Sequence, residues 1–374
     1  MGNLELRSLL IVRLSALGDV IHVLPALSAL RTAFPQAKLG WAVEDRAASL
    51  LRGHPQLDRL HVVPRKAWTQ ALKGWNLAAV ARGMRETVAE LEREEYEVAL
   101  DFQANLRSSA LSYFSGARRR IGQPRPFSKE GSRFLFTDVP DAVGKEAHKI
   151  VRNLQLLRPL GLDPDPVPRP TIPTGEPAGD LGPRPWVLLH PGVSAFGALK
   201  AWREERFAEL GAALAADGAT VRFLWGGAAE ERLAEALAAL APGTAPAPAT
   251  GSLLELAALL ERADLVVGVD SGPLHLAAAL GTPVLGLYGP KHPGTYGPFW
   301  PSSRVVRGDE ECSPCRHRRC PRPDAAPQAP RSGGPSRISP CMDAIGVQDA
   351  LSAARELLGA SRRGPTSSGA QAEG

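Results

Sequence analysis

Long apolar runs are missing from this sequence. Its most hydrophobic window, residues 9–30, is broken by Arg13, Asp19 and His22. No window reaches the roughly 18 uninterrupted apolar residues of a spanning helix. The same interruptions, with no small-residue cleavage site behind a clean apolar core, exclude a secretory signal peptide. A cytoplasmic protein is therefore expected. Cysteine is scarce: the four in the chain, Cys312, Cys315, Cys320 and Cys341, lie in its last fifth, so a disulfide scaffold does not organise the fold. Neither a Walker A sequence nor a G-x-G-x-x-G turn occurs, which argues against a P-loop NTPase and a standard dehydrogenase.

What is present is enough material for two cores. The 374 residues are 44% hydrophobic and 22% charged, values of a globular chain too long for one ordinary core. Charge is placed unevenly. Residues 1–165 carry 24 Lys and Arg against 18 Asp and Glu, and residues 102–136 hold seven basic residues against the single acid Glu130. A one-sided basic segment calls for an anionic partner: nucleic acid, a phosphorylated lipid headgroup or an acidic sugar.

Short apolar strands alternate with helical patterns throughout, which predicts parallel α/β sheets. SLLIVRL, KLGWAVE, LDRLHVVP and VALDFQ read as strands of a first half. VIHVLPALSALRTAF, MRETVAELEREE and HKIVRNLQLLRPLG read as its helices. After a Pro-rich stretch without periodicity the alternation restarts at WVLLHPG and runs to TPVLGLYGP. The expected division is residues 1–165, a linker at 166–185, a second domain at 186–345, a helix at 346–360 and a disordered tail at 361–374. Two doubly wound Rossmann-like domains facing a cleft would bind ligands beyond the carboxyl ends of their strands.

Three strand-to-helix turns of the second half could form a nucleotide pocket. In DLVVGVDSGPLHLAAALG, Asp270, Ser271, Gly272 and His275 stand at a strand end and a helix start, where free N–H groups suit a diphosphate. The alternative is that Asp270 and Ser271 only cap the helix. In HPGVSAFGALKAW, Ser194 and Lys200 lie on a polar loop. Lys200 suits a leaving diphosphate as charge develops on it, or is a solvated surface cation. In WGGAAEER, Glu230 or Glu231 could accept from ribose hydroxyls, or simply suit the helix dipole. In the first half, Asp19 of RLSALGD ends the first turn, where an acid can take a proton from an attacking hydroxyl, or cap a helix.

RLSALGDVIHVLPAL, the HPG…KAW segment and VDSGPLHLAAALGTPVLGLYGP resemble glycosyltransferase family 9, the lipopolysaccharide heptosyltransferases. The likeness runs from Ile11 to about Leu358. WAVED and DFQANLRSSAL are more similar to heptosyltransferase I than to heptosyltransferase II. The resemblance implies a GT-B fold and inverting transfer of heptose from ADP-heptose to Kdo of the lipopolysaccharide core, with no required cofactor. It casts Asp19 as general base, with Lys200 and Ser194 on the donor phosphates. Asp270, Ser271, Gly272 and His275 would form the phosphate-binding helix start, with Glu231 or Glu230 on the ribose. Arg65, Lys66, Arg107 and Arg125 would meet the Kdo carboxylates and lipid phosphates of a Kdo-lipid A acceptor. It also implies a Gram-negative cell and an enzyme peripheral to the inner membrane. No helix shows the one-sided Lys/Arg pattern of an interfacial anchor, so contact with that leaflet is expected to be transient.

The loop before Lys200 is longer than in heptosyltransferase I. Cys312-x2-Cys315-x4-Cys320 with Cys341 beyond has the makings of a structural zinc site, free thiols being the alternative. Two other functions fit parts of the sequence: a family 9 enzyme with another acceptor, such as a heptose already on the core, and a basic nucleotide-regulated nucleic-acid binder. The second lacks any DNA- or RNA-binding motif, and no nucleic-acid partner is expected.

Overall fold

The computed structural model describes residues 6–163, 165–176, 179–315, 317, 319–322, 326–327 and 337–362. It divides into two units, Met1–Thr174 with Ser252–Leu254, and Gly175–Gly251 with Glu255–Gly374.

The first unit holds β1 (Ser8–Val12), β2 (Lys38–Glu44), β3 (Arg59–Val63), β4 (Val98–Asp101) and β5 (Arg119–Gly122) in the order β3-β2-β1-β4-β5. Every pairing is parallel. Its helices are α1 (Leu17–Ile21), α2 (Leu24–Ala33), α3 (Asp45–Leu51), α4 (Arg65–Lys73), α5 (Leu77–Arg93), α6 (Leu106–Phe114) and α7 (Lys149–Leu154). β1 is buried at every residue, as a central parallel strand covered on both faces must be. Leu10, Val12, Leu14, Ala42, Leu91 and Ala99 share one core.

The second unit repeats the plan with one more strand. β6 (Trp186–His190), β7 (Thr220–Phe223), β8 (Thr244–Pro246), β9 (Leu265–Val269), β10 (Val284–Tyr288) and β11 (Ser303–Arg307) run in the order β11-β10-β9-β6-β7-β8, again all parallel. Its helices are α8 (Glu204–Ala216), α9 (Ala228–Leu240), α10 (Leu253–Glu261), α11 (Gly272–Leu280), α12 (Pro293–Tyr296), α13 (Pro340–Asp343) and α14 (Val347–Arg362). In both sheets the strand order reverses beside the first strand of the unit, between β1 and β4 and between β6 and β9. The crevices for ligands open at those reversals.

Several expectations need correcting. The helix read over VIHVLPALSALRTAF is two helices, because Pro25 lies in the first turn of α2 and cannot donate to a preceding carbonyl. α4 was not foreseen, and α5 begins at Leu77 rather than Met84. The linker at 166–185 is not a free tether. Thr171 is tied to the first unit, its carbonyl accepting from His54 Nε2 at 2.9 Å. Leu181 and Gly182 are tied to the second, their carbonyls accepting from Arg222 and the Trp186 indole. α14 continues to Arg362, two residues into the expected tail, and its Ala350, Leu351 and Ala354 join the second core. The rest of that tail, 363–374, lies outside the described residues.

Candidate active site

The first crevice is built around Asp19. It is the third residue of α1, whose N-cap is Ala16, and its side chain reaches back to the N-cap amide as in a capping box. It accepts from the Ala16 amide at 3.4 Å and forms ion pairs with Arg13, at the end of β1, and with Lys149, at the start of α7. Burial alone would raise the Asp19 pKa, but Lys149 and Arg13 hold it well below the usual carboxylate range. Burial in turn lowers Lys149. Arg13 is fixed by donating to the Phe102 carbonyl at 2.8 Å, and the Gln103 side chain accepts from the Leu14 and Ser15 amides at 3.0 and 3.2 Å.

The loop that places Phe102 and Gln103 explains the DFQANLRSS segment. Asp101 is fully buried at the end of β4 and accepts from the amides of Gln103 and Ala104 and the hydroxyls of Ser108 and Ser109, all within 2.9 Å. Burial still pushes its pKa up. The Asn105 side chain caps α6, and α6 carries Arg107 to within 2.9 Å of Glu44 Oε1. Arg65 approaches the same carboxylate at 4.0 Å. Glu44 ends β2 at this edge and is itself raised by burial. Of the four basic residues expected to meet the acceptor, Arg65 and Arg107 therefore converge. Lys66 is held only through its amide, which donates to Asp45, and Arg125 is exposed on a separate loop.

The second crevice is built around Asp270, just beyond β9. Its Oδ2 lies 2.6 Å from Lys200 Nζ and its Oδ1 2.9 Å from His275 Nε2. Lys200 also donates to the Asp270 carbonyl at 3.2 Å. Burial works to raise Asp270, but His275 and Lys200 outweigh it and bring the pKa to about 2. Ser271 stands at the N-cap of α11 without capping it; its hydroxyl lies 3.1 Å from Nδ1 of buried His190, the last residue of β6. The capping alternative for Asp270 and Ser271 thus gives way to a side-chain cluster.

Glu230 extends that cluster. Its Oε2 accepts from the Gly226 amide at 2.8 Å, and a Cβ on Gly192 would stand 2.8 Å from its Oε1. Gly192 is needed because the loop after β6 passes this close to the carboxylate. Burial lowers His190, partly countered by the Glu230 charge. Glu231 is half-buried one position further on. Ser194 begins the 3-10 turn Ala195–Lys200 and is exposed, apart from the Asp270 cluster.

Sequence reasoning missed Arg13, Gln103, Glu44, Lys149 and His190. Arg13 and His190 sit inside the quoted motifs and were legible as strand ends. Lys149 is 130 residues from Asp19 in the chain and had no local signal. No disulfide joins any of the four cysteines. Among the described residues, no three His, Cys, Asp or Glu side chains form a ready-made metal cage.

Comparison with known proteins points to one family. The profile of glycosyltransferase family 9 (heptosyltransferase) matches residues 84–326. Lipopolysaccharide heptosyltransferase 1 of Pseudomonas aeruginosa is 33% identical over 83% of this chain and 86% of its own length. The Escherichia coli K12 protein of the same name is 30% identical over 81% of this chain and 94% of its own. The solved structure of Escherichia coli heptosyltransferase WaaC with ADP superposes with a TM-score of 0.68 at 27% identity, covering 81% of this chain and 93% of that one. The architecture is that of these structures, GT-B with two Rossmann-like units.

Proposed function

Because the chain belongs to glycosyltransferase family 9, we propose that it moves heptose from ADP-heptose to Kdo of the lipopolysaccharide inner core, as heptosyltransferase I does. It is a glycosyltransferase, and the reading adds the substrates. The observation that carries the donor half is the Lys200–Asp270–His275 cluster at the β6–β9 reversal.

On this reading the diphosphate lies against the start of α11, with Gly272 giving it room and Lys200 turning from Asp270 to the leaving phosphate. Ser194, on the same loop, adds a hydroxyl, and Glu230 or Glu231 accepts from the ribose. Lys200 then stabilises charge that grows only as the glycosidic bond breaks, which is how an electrostatic group accelerates a reaction.

Asp19 takes the proton of the acceptor hydroxyl as it attacks the anomeric carbon, inverting it. A carboxylate paired with two cations is a weak base. An anionic acceptor that draws Lys149 and Arg13 toward itself restores the basicity of Asp19 at the moment it is needed. Arg65 and Arg107 turn from Glu44 to the acceptor carboxylates and phosphates, with Lys66 and Arg125 beside them. The first unit is thus the acceptor domain and the second the donor domain. The chemistry asks for no cofactor.

The acceptor's lipid places the enzyme in the cytoplasm against the inner leaflet of a Gram-negative membrane. No helix of the described residues is long and apolar enough to cross a membrane. The α4–α5 hairpin supports surface contact. Trp75 is 87% exposed at its turn, with Leu72 and Leu77 also exposed. Residues 59–85 carry six basic side chains and no acid. Such a tip suits an anionic headgroup layer.

The test is ADP release from ADP-heptose, with and without Kdo-lipid A, for wild type and Asp19→Ala. Release that requires the acceptor and collapses in the variant supports both halves. Donor binding without turnover moves the enzyme to another acceptor, and full activity in Asp19→Ala removes the base.

A further inference from the structure

The segment after β11 has little to hold it. Residues 309–322, DEECSPCRHRRCPR, contain no Val, Leu, Ile, Met, Phe, Tyr or Trp, so hydrophobic burial does little to fix their course. They nevertheless return to the edge of the sheet. The Cys315 amide donates to the Pro290 carbonyl at 2.8 Å, and the Ser313 hydroxyl to the Gly289 carbonyl at 2.7 Å. The loop and the start of α13 enclose a cavity of about 320 Å³. All four cysteines of the chain line it, together with His317. Three come from the loop and one, Cys341, from a segment twenty residues further on.

We propose that this cavity is a structural metal site in which the thiolates of Cys312, Cys315, Cys320 and Cys341 hold one divalent zinc ion. Four sulfurs suit zinc, a soft ion content with a tetrahedron. C-x2-C is the spacing with which a single turn presents two thiolates to one ion. The other two ligands close the ring from the same loop and from the core. Cys341 is the anchor: it is buried among the core residues of the second unit. A Cβ on Gly289 would stand 2.9 Å from its sulfur, so only glycine at the end of β10 leaves the thiol its place. Each thiol that binds releases its proton to solvent, and the negative charges share one ion. The neighbouring arginines Arg307, Arg319 and Arg322 supply positive charge to the same segment.

The thiols are not yet in coordination geometry. Three ride on a loop with no core of its own, so binding and ordering are one event, as in small metal-held folds. The cavity wall also includes Leu199, whose carbonyl accepts from Ser339 at 2.8 Å. Leu199 precedes Lys200, so the ion braces the loop that carries this cation. That last consequence rests on the proposed donor site; the metal site does not.

The test is metal analysis of the full chain expressed with zinc in the medium. About one zinc per chain is expected, falling below about a tenth in Cys315→Ser and Cys320→Ser, whose side chains lie on the loop and leave the core intact. Replacing zinc with cobalt(II) should produce a sulfur-to-cobalt charge-transfer band that Cys315→Ser loses. Wild-type chain with less than about a tenth of an ion and four thiols that react in the native state would overturn the site. So would a Cys315→Ser variant with its full zinc. Metal content is read without turnover, so an inactive chain that holds zinc contradicts the substrate reading and not this one.

Discussion

The two units answer the same problem differently. Each sets a half-buried aspartate in the turn or helix start that follows a central strand, near the point where the strand order reverses, and each holds that aspartate between two nitrogen-bearing side chains. In the first unit the partners of Asp19 are Arg13 and Lys149. In the second the partners of Asp270 are Lys200 and His275. The first clamp joins β1 to α7 across 130 residues of chain, and it holds the carboxylate itself as the working group. The second clamp joins a loop to a helix start across 70 residues of chain, and in the proposed reaction the working group is Lys200, for which Asp270 is the holder. On the proposed roles, one architecture carries a waiting base on one sheet and a waiting cation on the other.

The sharpest break of this symmetry is substitution of the two acids. Asp19→Asn should lower kcat by roughly 10³-fold with ADP-heptose affinity unchanged, the size expected for loss of a positioned base. Asp270→Asn should instead weaken donor binding. Calorimetric donor titration beside steady-state kinetics reads both, and equal loss of donor affinity in the two variants would refute the division of labour. Lys200→Ala comes next, with kcat down by about 10²-fold, since it removes one group that binds the leaving charge. Lys200→Arg should recover part of that loss if charge is what matters.

Lys149→Met should cost about tenfold in kcat and move the acid limb of the pH profile upward, because the cation that holds the Asp19 pKa down is gone. An acid limb left in place by Lys149→Met would return this lysine to a packing role. The smallest effect is on stability. The folded pKa of Asp270 is about 2 against an ordinary 3.8, so its ionised form stabilises the fold fully above about pH 4. That contribution, on the order of 2 kcal/mol, is lost as pH falls through about 2. Urea unfolding between pH 5 and 3 should show wild type losing stability faster than Asp270→Asn.

Legibility followed burial and locality. The central strands β1, β4, β6, β9 and β10 were readable because they are covered on both faces and spell continuous apolar runs. The edge strands β5, β8 and β11 were not: RRIG, TAP and SRVVR are short, and the first and last are half polar. α4 was missed because it is short and none of its residues is fully buried, so its stripe of Ala67, Trp68, Ala71 and Leu72 does not stand out. The aspartates were found because turn residues beside apolar strands stand out. Their partners divide by distance. His275 lies in the same motif as Asp270 and was named with it, while Lys149 reaches Asp19 only through the fold. Lys200 was placed with the phosphate, but its pairing with Asp270 could not be read from either motif.

Each sheet has its own core, and each working group is held by residues of its own unit. The lineage of this enzyme can therefore alter one half without retuning the other. On the proposed roles, changes that re-aim Arg65 or Arg107 leave His190, Glu230 and α11 untouched, so a new acceptor can be acquired while the donor is kept. Hybrids that join the first unit of one relative to the second of another, cut near Thr174, are the natural experiment in inheritance that this division invites.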